Sequence, residues 1–178
     1  MAIRKRGAVV IGILAVFVFA VPAVAAHGDQ EIRRATAELR NVSGEVVGRA
    51  RFREDSHGNL HVDVRVRGLS EGLHGIHIHN VASCSDTSVA FGGAGSHHNP
   101  LGAVHGAHAG DLPNLVVKAS GKGHLKTTTD GATLSAGPVS IFDGDGSAIV
   151  IHADEDDLVT NPTGNSGGRI ACGIIVAR

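Results

Sequence analysis

The stretch Gly72–Cys84 reads GLHGIHIHNVASC, with His74, His77 and His79 close together. His77 and His79 are two residues apart, so on a strand both imidazoles share one face and Ile76 and Ile78 the other. Two imidazoles on one strand face can grip one metal ion. A second apolar run, SAIVIHA, ends on His152 and can deliver a third imidazole at a sheet edge. Between them, HHNPLGAVHGAHAGD brings His97, His105, His108 and Asp111. Three histidines with one carboxylate make a closed tetrahedral set that suits zinc. Several histidines without carboxylate or thiolate, on a rigid sheet, suit copper better. Two metal sites of different character are expected.

The elements that must hold these donors read as strands. NLHVDVRVRGL sets Leu60, Val62, Val64 and Val66 against His61, Asp63, Arg65 and Arg67. Strict alternation means a strand with one wet face. GEVVGRARFRED gives Val46, Ala50 and Phe52 on one face and Arg49, Arg51 and Arg53 on the other. The intervening DSHGN is turn chemistry, so these two strands form a hairpin. AELR, GIHIH, NLVVKA, GHLKTTT, SAIVIHA and IACGIIVA add further short strands. About eight short strands, glycine at twice its usual share of ~7% and no helical crossover point to an all-β antiparallel sandwich or Greek-key barrel. Two stretches are not strands, Asn80 to about Pro113 and Ala153–Gly168; loops this long in a compact domain are usually functional. The arginine stripe reads as a solvated face, with no aromatic stacking residues and with Glu45, Glu54, Asp55 and Asp63 close by.

Arg4, Lys5 and Arg6, an apolar run and small residues at Ala23 to Ala26 read as a secretory signal peptide over 1–26. The apolar run is short for a membrane span, so no stable membrane insertion is expected after cleavage. Nothing suggests lipid attachment, and the exposed His27 reads as a disordered tail. Residues 27–178 form one ordinary domain. Thirteen basic and seventeen acidic residues then remain, a net charge of −4 with histidines neutral. That balance excludes a general nucleic-acid binder. In an oxidising compartment Cys84 and Cys172 read as one disulfide, the alternative being two buried thiols.

GLHGIHIH, SHHNPLGAVHG, HAGDLPN, VIHADEDDL and GNSGGRIACGIIVA, in order along essentially the whole mature chain, resemble the copper/zinc superoxide dismutase family. The resemblance implies an eight-stranded Greek-key barrel with two long functional loops. It implies copper on His77, His79, His97 and His152, and zinc on His97, His105, His108 and Asp111. His97 would bridge both metals. Asp156 would hydrogen-bond a ligand histidine at each metal, and His74 would support the copper-site backbone. Cys84 and Cys172 match the family disulfide, and Arg169 the arginine beside the copper channel. The implied substrate is the superoxide anion, which Arg169 would attract and His97 would help protonate. The family contains monomers and dimers, so a homodimer stays open. The implied locations are periplasm, cell surface or medium.

The gap between His105 and His108 is several residues shorter than in most relatives; the expectation is that the loop tightens and zinc still binds. The loop from His152 to Arg169 is also short, and the segment from Cys84 to His97 is long. The remaining histidines receive plain readings: His57 in a turn, His61 and His124 on wet strand positions, His98 beside a ligand. The competing functional reading is a copper-binding or buffering protein without turnover, which loss of a copper ligand or of Arg169 would favour.

Overall fold

A computed structural model describes residues 33–178; the expected signal peptide and His27 lie outside them. Ten strand segments form one antiparallel sheet: β1 (Arg34–Asn41), β2 (Val46–Glu54), β3 (Leu60–Val66), β4 (Gly72–His74), β5 (Ile76–His79), β6 (Leu115–Val117), β7 (Gly123–Thr129), β8 (Ala148–His152), β9 (Arg169–Ile174) and β10 (Val176–Ala177). The spatial order is β4-β6-β7-β3-β2-β1-β9-β8-β5, with β10 on β1. The two ends of that order, β4 and β5, are consecutive in the chain, joined through Gly75. The sheet therefore closes on itself. Counting β4/β5 and β9/β10 as strands broken at Gly75 and Ile175, the barrel has the expected eight. The β3–β4 and β7–β8 connections skip over neighbours, which makes the order a Greek key. Among the described residues the only helical piece is a 3-10 turn at Gly92–Ala94, and no helix is long and apolar enough to cross a membrane.

Alternation fills the barrel as the sequence predicts along β3, where Leu60, Val62, Val64 and Val66 are buried. Each such side chain contributes about 1.5–3 kcal/mol of burial. On β2 two expectations are corrected. Val46 points outward and Val47 inward, because Leu39 pairs with Gly48 but Arg40 with Val46, a bulge that flips the face. Glu54 does not sit among the arginines. It shares the inward face of Phe52, is 8% exposed, and accepts hydrogen bonds from the amides of Leu134 and Ser135 and from the Ser135 hydroxyl. It pins the Asp130–Ser147 loop across the barrel end.

β8 is buried on both faces, which explains its unbroken apolar run. Ile149 and Ile151 join the main core, while Ala148 and Val150 pack with Phe91, Ala94 and Cys172 in a smaller one. That second cluster seats the Asn80–His97 loop against the sheet. The Cys84–Cys172 disulfide adds a covalent tie there, with Cα atoms 5.7 Å apart across a sequence separation of 88. By the chain-entropy model such a loop closure is worth about 4–5 kcal/mol.

Candidate metal centre

β5 places Ile76 and Ile78 in the core and turns His77 and His79 the other way, all four fully buried. One edge of β5 pairs with β8, so His77 lies opposite Val150. Its other edge is stitched to the long loop: Gly110 accepts from the Ile78 amide (2.8 Å), and Ile78 from the His98 amide (2.8 Å). Bridges at His77–Asp111 and His79–His97 follow. A Cβ on Gly110 would stand 2.2 Å from the Ile78 carbonyl oxygen, so glycine permits this close approach. The end of β8 supplies His152. A register shift between Ile151 and His152 sets Arg169 of β9 opposite it.

The candidate ligand atoms of His77, His79, His97 and His152 all lie within 4.8 Å of one another. Each ring is fixed by an oxygen on one nitrogen and leaves the other facing the cluster. His77 Nε2 donates to Asp156 Oδ2 (2.6 Å), His79 Nδ1 to the Gly95 carbonyl (3.1 Å), His152 Nδ1 to the Gly167 carbonyl (3.2 Å) and His97 Nδ1 to Asp111 Oδ1 (3.0 Å). His79 Nε2 and His152 Nε2 stand 3.4 Å apart. His74, behind the cluster, donates from Nδ1 to the His152 carbonyl (2.7 Å).

His97, His105, His108 and Asp111 form a second group with the same mutual reach. Asp111 Oδ1 lies 3.3 Å from His108 Nδ1, and Oδ2 lies 3.5 Å from His105 Nδ1. Oδ2 also accepts from the amides of Gly106 (2.8 Å) and His108 (3.0 Å). Asp111 thus caps its own turn with one oxygen and faces the histidines with both. The short His105–His108 gap is closed by turn hydrogen bonds, Ala107 to Val104 (3.1 Å) and Asp111 to His108 (3.2 Å).

Asp156 links the groups, its Oδ1 accepting from His105 Nε2 (2.8 Å) while Oδ2 holds His77. With both oxygens so engaged, His77, His105 and Asp156 make an anchoring set and not a third ion site. Gly164 packs on this carboxylate at φ +61°, where a Cβ would overlap Asp156 Oδ1. Three contributors had no role assigned from sequence. Asn114 brackets the Asp156 backbone with two hydrogen bonds, and Asn161 receives the His105 amide. The Gly95 carbonyl binds both His79 and Arg169. Asn114 closes the motif HAGDLPN and Asn161 lies in the Ala153–Gly168 stretch, but a backbone carbonyl leaves no mark in a sequence.

Electrostatics prepare both groups for cations. Burial, then the charge of His97, lowers the His77 pKa to about 3 against the pull of Asp156. Burial lowers His152 to about 4, and burial with His97 and Arg169 holds His79 well below its usual value. These rings are neutral at pH 7, as metal ligands must be. Burial alone would raise the Asp111 carboxyl, but bonding to His97 and the nearness of His105 bring it down to about 2, so it is ionised. Buried ring nitrogens without a partner mark where cations fit: His77 Nδ1 and His97 Nε2 face the first group, His105 Nδ1 and His108 Nδ1 the second. Such groups are costly without a partner. A four-imidazole set and a three-imidazole, one-carboxylate set fit copper and zinc respectively.

The family model for copper/zinc superoxide dismutase matches residues 46–175. The chain belongs to the copper/zinc superoxide dismutase family. It is 40% identical to the Cu-Zn superoxide dismutase of Deinococcus radiodurans, over 79% of this chain and 83% of that one. It is 39% identical to the superoxide dismutase-like protein YojM of Bacillus subtilis, over 78% and 74%. Among solved structures of the family it resembles a SOD-like protein from Bacillus subtilis, with TM-score 0.74 and 38% identity over 79% of this chain and 97% of that one. It also resembles the Cu/Zn superoxide dismutase from Brucella abortus, with TM-score 0.67 and 26% identity over 79% and 98%.

Proposed function

We propose that the chain dismutes superoxide to dioxygen and hydrogen peroxide, with copper on His77, His79, His97 and His152 and zinc on His97, His105, His108 and Asp111. The observation that carries this reading is the placement of the His97 ring. Its Nδ1 meets Asp111 in one donor group, and its Nε2 is a partnerless buried nitrogen in the other. When bound, copper supplies the one-electron couple that oxidises one superoxide and reduces the next.

The protein's own residues handle charge and protons. Arg169 is half-buried, and two of its guanidinium nitrogens donate to the carbonyls of Phe91 and Gly95. That clamp fixes a cation beside His79 and His152, where it attracts and orients an anion on a protein of net negative charge. While its Nε2 is not held by copper, His97 would take a proton from solvent at that atom, with Nδ1 still turned towards Asp111, and would pass it to the reduced oxygen species. Two protons and two superoxide anions thus give one dioxygen and one hydrogen peroxide. Asp156 and His74 keep the rings and backbone in place so that little reorganisation accompanies each turnover.

Export belongs to the same proposal, because a Cys84–Cys172 bond suits an oxidising compartment and residues 1–26 read as a signal peptide. Periplasm, cell surface and medium are the destinations. The test is to purify the secreted chain, load it with copper and zinc, and assay superoxide consumption and intact mass on one sample. Turnover by a chain that starts at Ala26 or His27 supports the proposal. A copper-loaded chain that leaves superoxide untouched is a copper-binding or buffering protein instead.

A further inference from the structure

The outer faces of β1, β2, β3 and β7 carry three rows of side chains in register. One row is Arg34, Arg53, His61 and Thr128; the next is Thr36, Arg51, Asp63 and Lys126; the third is Glu38, Arg49, Arg65 and His124. Of the acids that sequence placed beside these cations only Asp63 lies within the rows, between Arg51 and Lys126, and Glu45 accepts from the Asn41 side-chain amide. Glu54 is buried under the Ser135 loop, and Asp55 accepts from the amides of its own turn and from His61. Asp63 pairs with Arg65 and His124, and Glu38 with Arg40. Among the described residues no carboxylate lies within ion-pair distance of Arg34, Arg49, Arg51, Arg53 or Lys126.

Two further observations make this more than a solvated stripe. Arg34 stands directly opposite Arg53, and Arg49 opposite Arg65. Like charges so placed destabilise a sheet; Asp63 offsets this at Arg65, whereas no carboxylate does so at Arg34 and Arg53, where a bound anion would. Arg34, Arg51, Arg53, Lys126 and Arg178, five cations to the single acid Asp63, also border one depression on this face. Arginine predominates, and its planar fork matches sulfate and carboxylate oxygens.

We propose that this face binds a linear anionic glycan carrying sulfate or carboxylate groups. The face offers no aromatic side chain for base stacking, since Phe52 points into the core, so it does not suit single-stranded nucleic acid. None of the exposed large apolar side chains lies in the three rows, so nothing there inserts into a bilayer. A second copy would have to offer exposed acids such as Asp154, Glu155 and Asp157, and self-association is an outcome that the test reads. In the closed barrel order β2 and β3 lie across from β5 and β8. A glycan bound there leaves the metal centre facing solvent.

The probe is heparin, titrated onto the metal-loaded wild-type chain at low salt, beside a single-stranded DNA and phosphatidylglycerol vesicles. The expected result is heparin binding that fades as salt rises and exceeds binding to the other two. R51E/R53E should weaken it roughly tenfold or more with superoxide turnover unchanged, and R51Q/R53Q should weaken it less. No binding at low salt overturns the proposal. So does tighter binding to DNA or vesicles, heparin binding unchanged in the folded glutamine variant, or self-association that heparin does not disperse.

Discussion

His77 and Asp156 meet at 2.6 Å through Nε2 and Oδ2, although they lie 79 residues apart, one on β5 and the other in the loop after β8. The same carboxylate holds His105 through its other oxygen at 2.8 Å. One side chain therefore sets the ring orientation of a donor in each metal group.

Asp156→Ala should release both rings. Loss of such an orienting partner typically costs 10–100-fold in metal affinity. Both buried Nε2 atoms would also lose their acceptor. Competitive chelator titration of the purified variant should show weaker binding of both metals, with zinc affected through His105 and copper through His77. Wild-type affinity for both would mean the rings are fixed by packing alone.

His108→Ala separates the two tasks of Asp111. The turn capped by Asp111 Oδ2 loses only a side chain, since that bond uses the His108 amide. Zinc per chain should fall well below one and the Tm should drop, because metal binding is linked to folding. Copper per chain should stay near the wild-type value. Equal loss of both metals would show that His108 supports the loop and not one ion.

The metal-free protein should lose stability on mild acidification. His77, His79 and His152 are depressed from an ordinary value of 6.5, to about 3 for His77 and about 4 for His152, with burial the leading cause. The unfolded chain thus binds protons that the folded chain refuses. Their contribution is complete above pH 6.5 and is lost as pH falls towards 4. Each such histidine adds a slope of about 1.4 kcal/mol per pH unit within that window. The carboxylates Asp111 and Asp156 are shifted downward and act only at lower pH. Urea unfolding of the chelated protein between pH 7 and 4.5 measures this, and a flat profile would contradict it.

Arg169→Glu should slow superoxide capture by roughly tenfold or more at low ionic strength, and added salt should narrow the difference. Arg169→Lys should fall between, since it keeps the charge but not the two-carbonyl clamp on Phe91 and Gly95. Steady-state rates at several ionic strengths test both. A rate indifferent to the glutamate would leave Arg169 a purely structural role.

Much of this arrangement was legible in the sequence because ligand chemistry restricts residue type. His77 and His79 had to share a face once they lay on a strand, and β3 alternates without interruption. Glu54 was readable too, since it shares the parity of Ala50 and Phe52. The bulge that inverts Val46 and Val47 was not readable, because it depends on the register against β1. Nor was the Gly95 carbonyl, which ties His79 to Arg169. The neutralisation of Asp55 and Asp63 by their own turn and neighbours likewise needs three dimensions.

In the proposed function His97 serves two ions at once. Anomalous diffraction at the copper and zinc edges, from crystals of the chain loaded with both metals, tests it most directly. The expected result is a copper peak on the Nε2 side of His97 among His77, His79 and His152, and a zinc peak on the Nδ1 side among His105, His108 and Asp111. A copper peak with no zinc peak, or both metals on one side of the ring, would contradict it and leave His97 an ordinary ligand of a single ion.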